Sequence, residues 1–234
     1  MTDSQAAAYD EAPYESGPFS FTHPDALATI ARLYGMSPPT IDRCRVLELG
    51  CASGGNLIPM ALTLPGGRFV GIDLSPRQIA DGQATIGALG LSNIELRAMD
   101  LMELGPEFGQ FDYIVCHGVY SWTPRPVQDK ILSICSERLT PQGIAYISYN
   151  TYPGWHSRGM VREMVRYHVD HAAPPLERVR QARQFLDFLV RNSRDPKAIY
   201  SYVLKEEAQL WAKASDSYIL HEQLAEFNEP FYFH

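Results

Sequence analysis

Apolar positions come in two rhythms along the first 150 residues. Short β-prone runs alternate with stretches in which apolar residues recur three or four apart. Val46 to Leu49 and Val70 to Leu74 are such runs, stopped by small residues or an acid, as buried parallel strands are. Between them Leu57, Met60, Ala61 and Leu64 predict a helix. Further strands are predicted at Ile94 to Ala98, Phe111 to Cys116 and Ile144 to Tyr149, the last after a Thr140-Pro141-Gln142-Gly143 turn. A first helix is expected from Pro24, capped by Thr22 or His23, with Leu27, Ile30, Ala31 and Tyr34 on its apolar face and Gly35 at its end. Another opens at Ser75-Pro76 and stops at Gly90. A further helix, from about Arg125 to Arg138, carries Val127, Ile131, Ile134, Cys135 and Leu139 on one side.

Regular alternation of strand and helix predicts an α/β fold, a Rossmann-like doubly wound parallel sheet. After Asn150 the strand pattern ceases. Leu176, Val179, Leu186 and Leu189 mark an amphipathic helix interleaved with basic residues, and shorter helical patterns follow near 195–213 and 217–227. The organisation read from this is an arm over 1–22, a sheet domain over 23–152 and an appended helical segment over 153–234.

The strand, small-residue turn, helix, strand, acid order around Glu48-Leu-Gly-Cys-Ala-Ser-Gly-Gly55 and Asp73 is that of a nucleotide site, in which the second acid meets ribose hydroxyls. A pyrophosphate wants bare backbone N–H groups on a helix N-terminus, and Glu48 would oppose it. S-adenosylmethionine (SAM) bears a sulfonium and an ammonium and no phosphate, so a carboxylate there is favourable. The spacing Glu-x-Gly-x-Ala-x-Gly resembles motif I of class I SAM-dependent methyltransferases, with Ala52 where a second glycine is usual. A nicotinamide enzyme and a purely structural βαβ unit are the alternatives. Strand ends supply the candidate cofactor ligands: Glu48, Gly50, Cys51 and Asn56 after the first strand, Asp73 and Leu74 after the second, and Met99, Asp100 and Leu101 after the third. An acid at Asp100 would accept from the adenine amino group.

After the fourth strand, His117-Gly118-Val-Tyr120-Ser-Trp122 occupies the position where an acceptor would enter. Gly118 allows close backbone approach. His117 is a candidate base or orienting group, against a structural histidine, and Tyr120 a candidate partner. Tyr120, Trp122, Tyr152 and Trp155 are candidates for an acceptor channel or for packing against the appended helices.

Composition adds exclusions. A net charge of −7 gives no bulk support for a nucleic-acid partner. The four cysteines have no metal or redox spacing, so no metal is expected and buried free thiols are. The polar, acidic N-terminus is unlike a secretion signal and no run approaches membrane-spanning length, which together predict a cytoplasmic protein.

Glu48 to Asn56, His117 to Trp122 and Ser148-Tyr-Asn-Thr-Tyr-Pro-Gly-Trp-His156 together resemble bacterial class I methyltransferases that carry a methyltransferase regulatory domain. That group includes rickettsial lysine methyltransferases of outer-membrane proteins. The resemblance extends over nearly the whole chain and includes Tyr14 to Pro24. It implies SAM as methyl donor, an arm folded over the cofactor with Tyr14 against it, and a protein lysine as acceptor. A small-molecule methyltransferase and a non-catalytic SAM-binding module remain alternatives, with the helical segment as a candidate homodimer surface. Two departures accompany the resemblance. No hairpin follows the fifth strand, and the chain stops inside the pattern Asn228-Glu-Pro-Phe-Tyr-Phe-His234, as a truncated segment would.

Overall fold

The computed structural model describes Tyr14 and residues 16–233, so most of the expected arm, 1–13 and 15, lies outside the described residues. The chain divides into two compact units, changing over between Tyr149 and Asn150, three residues ahead of the expected boundary.

The first unit is built on a five-stranded parallel sheet in the order β3-β2-β1-β4-β5. The strands are β1 (Arg45–Leu49), β2 (Arg68–Asp73), β3 (Ile94–Ala98), β4 (Phe111–Cys116) and β5 (Leu139–Ile147). The order reverses beside β1, so the crevice at the carboxyl ends of β1 and β4 is the switch point at which such sheets bind ligands. Helices α1 (Pro24–Leu33), α2 (Leu57–Thr63) and α3 (Pro76–Leu89) contribute Leu27, Leu57 and Ile79 to one core, together with Val46, Phe69 and Tyr113. Helix α4 (Arg125–Arg138) contributes Ile131 and Ile134 to the opposite core, with Leu47, Leu49 and Ile114. Period-2 alternation along β1 therefore places Glu48 with Val46, on the side covered by α1 and α2.

Local chemistry sets several element ends. His23 caps α1 by accepting from the Asp25 N–H, and Ser75 caps α3 by accepting from Gln78. Gly90, at φ 64°, stops α3 in the left-handed conformation. Two expectations need correction. On α1 the buried face is Leu27, Ala28 and Ala31, whereas Ile30 is 52% and Tyr34 85% exposed. Residues at i, i+3 and i+7 fit two adjacent stripes, and the alanines select the one that lets the helix come close to the core. The turn expected at 140–143 is instead an irregularity within β5. Phe111 pairs with Leu139 and Tyr113 with Ile144, so four residues are accommodated opposite one, with Gln142 at φ 66°.

The second unit consists of α5 (Gly154–His168), α6 (Pro175–Arg191), α7 (Ile199–Lys213) and the short α8 (Asp216–Tyr218), which runs on into a π turn, Ile219–Gln223. Val161, Val165, Val179, Leu186, Leu204 and Trp211 form its core. The sequence predicts no strands here. Even so, β6 (Thr151–Tyr152) and β7 (Phe231–Tyr232) pair in parallel, closed by the Phe231 N–H to the Asn150 carbonyl at 2.9 Å. Two-residue strands carry no readable alternation, so only the tertiary partner defines them.

Candidate active site

The turn after β1 is held shut by backbone. The N–H groups of Gly50 and Cys51 both donate to the Ile72 carbonyl, at 2.9 and 3.0 Å. Asp73, at the end of β2, completes the closure: one carboxylate oxygen accepts from the Ala52 N–H at 2.8 Å and the other from Ser75 at 2.9 Å. Ala52 stands at φ 49°, a left-handed conformation that costs an L-residue about 1 kcal/mol. Its N–H bond to Asp73 is what holds it there.

Two loop glycines are required by neighbouring protein. A Cβ on Gly50 would lie 2.4 Å from Val119 Cγ2, in the turn after β4. A Cβ on Gly55 would lie 2.4 Å from the Ser16 carbonyl oxygen. The segment 16–22 thus passes directly over the glycine turn. Ser16 Oγ accepts from the Gly55 N–H at 2.9 Å, and the Phe19 N–H donates to Asn56 Oδ1, also at 2.9 Å.

Beneath this crossing lies a buried carboxyl. Glu48 is 4% exposed; Asn56 Nδ2 donates to its Oε1 at 2.7 Å, and its Oε2 is buried with no hydrogen-bond partner. Burial, partly offset by the Asn56 bond and reinforced by Asp73, pushes the Glu48 carboxyl up to about 7. A buried acceptor of this kind is costly unless something donates to it.

At the end of β4, His117 sits in an aromatic cluster, its ring 4.2 Å from Phe19, 5.4 Å from Phe21 and 6.0 Å from Tyr146. Burial lowers its pKa, favouring neutral imidazole, and its Nδ1 is buried without a partner. Gly118, at φ 69°, donates its N–H to Ser148 Oγ at 2.8 Å, which ties the β4 turn to the end of β5. Tyr120 packs edge-on to Tyr149, 6.4 Å between centroids, and Trp122 follows in the same 3-10 turn.

The remaining strand-end candidates line the same carboxyl edge. The Met99 N–H donates to the Asp73 carbonyl, and Asp100 Oδ1 accepts from Met102 at 2.9 Å. Met99 and Leu101 pack against the sheet, and Leu74 is half-buried. Cys51 Sγ faces Gly71 within the fold, 2.7 Å from where a Cβ would be, and burial raises its thiol pKa far above the usual range. The Cys51 side chain therefore packs within the fold, and its N–H and carbonyl both serve the turn.

A profile of a methyltransferase domain matches residues 47–145. Protein RP028 of Rickettsia prowazekii is 42% identical over 97% of this chain and 91% of its own length. Protein RP789 of the same organism is 46% identical over 97% of this chain but only 41% of its own length. The chain belongs to the class I methyltransferases. Two structures of PKMT2 from Rickettsia typhi, the second in complex with AdoHcy, superpose with TM-scores of 0.84 and 0.82 at 42% and 43% identity, over 95% of this chain and 42% of PKMT2. The chain thus spans about two fifths of the length of RP789 and of PKMT2.

The residues present fit the methyl donor of this family. An unsatisfied buried carboxylate oxygen on Glu48 suits a cationic ligand and would repel a pyrophosphate. Both Asp73 oxygens accept backbone N–H groups, and the carboxylate keeps acceptor capacity for a hydroxyl. Among the described residues no group of three or more metal-ligating side chains occurs, and no helix is long and apolar enough to cross a membrane.

Three expected site residues of the methyltransferase belong to the helical unit. Tyr14 lies 6.3 Å from the His221 ring, and burial with the nearby Glu222 and Tyr218 pushes its phenol up to about 12. Tyr152 stacks on His156 at 4.2 Å, and His156 Nε2 is 3.0 Å from Tyr232 Oη. Trp155 lies beneath the Arg158 guanidinium. Sequence reasoning missed Ser16, Phe19, Thr22 and Ser148 as parts of the site. The concentration of aromatic residues in the arm was the available signal, since such residues require burial.

Proposed function

We propose that this chain is the cofactor-binding and helical portion of a SAM-dependent protein lysine methyltransferase. The observation that carries the donor assignment is the unpaired buried oxygen of Glu48 at the switch point. Bound there, SAM supplies an electrophilic methyl group on sulfur. Glu48 would accept from its ammonium, Asp73 from ribose hydroxyls and Asp100 from the adenine amino group, with Met99 and Leu101 beside the base. The backbones of Gly50 and Cys51 would border the ligand, and Gly118, with nothing within 4 Å of where a Cβ would stand, leaves it room.

A lysine acceptor attacks only as the free amine. With an ordinary pKa near 10.4, roughly one amine in a thousand is free near neutrality, a handicap of about 4 kcal/mol. His117, kept neutral by burial, offers a lone pair to an ammonium proton, and Tyr120 and Trp122 supply the aromatic wall of an acceptor channel. Tyr152 and Trp155, on the helical unit, are assigned to recognition of the acceptor polypeptide. The protein acceptor is supported by the resemblance at residues 148–156 and is in keeping with the name PKMT2. The acidic balance of the chain, −7, favours a basic acceptor segment over a nucleic acid, and a cytoplasmic site of action goes with this reading.

Incubation with SAM and lysine-rich polypeptides, read by mass spectrometry, tests the proposal. Lysine-localised mass gains of one methyl group, reduced at least tenfold in Trp122→Ala with AdoHcy affinity retained, are expected. Methylation of small amines or phenols with none on polypeptide would overturn the acceptor assignment.

A further inference from the structure

Thr22 is fully buried, with no exposed surface, so it touches no ligand; yet it belongs to a closed hydrogen-bond circuit that ends on Glu48. The circuit has one self-consistent assignment. The Phe19 backbone N–H is an obligate donor and meets Asn56 Oδ1 at 2.9 Å, so the amide nitrogen of Asn56 faces the other way. Its two hydrogens then go to Glu48 Oε1 at 2.7 Å and to Thr22 Oγ1 at 3.0 Å. The Thr22 hydroxyl, having accepted, donates to the Phe19 carbonyl at 2.9 Å, with Asn56 Oδ1 3.2 Å away. Every polar atom of the circuit except Glu48 Oε2 has a partner.

The arm thereby decides which end of the Asn56 amide Glu48 meets. With Phe19 and Thr22 in place, Asn56 presents a donor and the carboxyl is pinned by one oxygen, leaving Oε2 in a fixed position. Without them the amide is free to flip and set an acceptor against an acceptor. The same arm is seated on the glycine turn by Ser16 and on the β4 turn by the Phe19 ring against His117.

We propose that Thr22 and Asn56 are positioning residues for the methyl-donor site, aiming the Glu48 carboxyl and making its aim depend on the arm being seated on the glycine turn. The inference rests on Glu48 being a ligand of the cofactor's cationic end. Donor affinity and arm order are then two readings of one equilibrium.

The test is calorimetric titration of the full chain with AdoHcy, comparing wild type, Thr22→Val, Thr22→Ser, Glu48→Gln and the Thr22→Val/Glu48→Gln double variant. Thr22→Val keeps the shape and removes the hydroxyl. It is expected to weaken binding roughly tenfold, with Thr22→Ser recovering most of that loss. In the Glu48→Gln background, Thr22→Val should cost little more, because both changes act on one contact. If Thr22→Val fails to fold, Thr22→Ala takes its place with the same expected loss. Unchanged affinity in Thr22→Val, or a loss fully additive with Glu48→Gln, overturns the positioning role while leaving the site assignment standing. Wild-type affinity in Glu48→Gln overturns the site assignment, and the positioning role with it.

Discussion

The two units bury charge to different ends. In the helical unit, guanidinium groups finish the backbone. Arg162 donates to the carbonyls of Glu222, Ala225 and Phe227, and Arg183 to those of Trp211 and Ala214, satisfying acceptors that helix ends leave open. Glu207 is likewise matched by Arg158 at 3.5 Å. In the sheet unit, the buried Glu48 is matched on one oxygen only, and His117 Nδ1 has no partner. The helical unit has unpaired buried atoms too, among them Arg166 Nε, Arg178 Nε and Gln223 Oε1, so what sets Glu48 and His117 apart is their place: both stand at strand ends beside the switch point of the sheet. An incompletely satisfied polar group at a strand end is thus a better marker of the site than a glycine.

The largest effect expected is on the helical side. Arg162→Met strands several carbonyl oxygens and should lower unfolding free energy by about 3 kcal/mol, measured by denaturant titration. AdoHcy binding lost together with that stability would erase the distinction between the units.

Glu48→Gln should do the reverse. The folded carboxyl keeps its proton up to about 7, whereas an unfolded glutamate loses it near 4.3, so the folded state binds more protons between these values and stability falls as pH rises. The substitution is therefore expected to stabilise the ligand-free protein by up to about 3 kcal/mol at pH 8 and by nothing measurable at pH 4, while weakening cofactor binding. Glu222, raised to about 7 chiefly by burial in the helical unit, leaves a residual slope of the same sign. A variant no more stable than wild type at pH 8 would mean that Glu48 is not held at a cost.

Gly55→Ala brings a methyl group against the Ser16 carbonyl and should cost about 2 kcal/mol, with AdoHcy affinity falling alongside as the arm lifts. Retained affinity would separate the arm from the site. The smallest effect is at Ala52, where glycine relieves the left-handed strain and should raise stability by up to about 1 kcal/mol in thermal unfolding.

Much of this was legible in the sequence because local signals and burial agree in the sheet unit. The predicted bounds of the strands at 94–98 and 111–116 and of the helix at 125–138 match those observed. Helix α5 has no clear sequence signal because Gly154, Gly159 and interleaved arginines dilute its apolar stripe, leaving Val161 and Val165 as its buried apolar anchors. The candidate ligands after β1 to β4 were readable because a parallel sheet collects strand ends at one edge. The placement of Tyr14 among Tyr218, His221 and Glu222 was not, because it depends on contacts more than two hundred residues apart.

What the sequence determined by itself is the sheet, its helices and the chemistry of the edge, since periodicity and strand-end residues are local properties. Only the tertiary structure decided which glycines face protein, which way Asn56 points and which carboxyl oxygen is left unpaired. Those depend on which distant backbone group arrives to donate or to fill space, and no spacing in the chain records that.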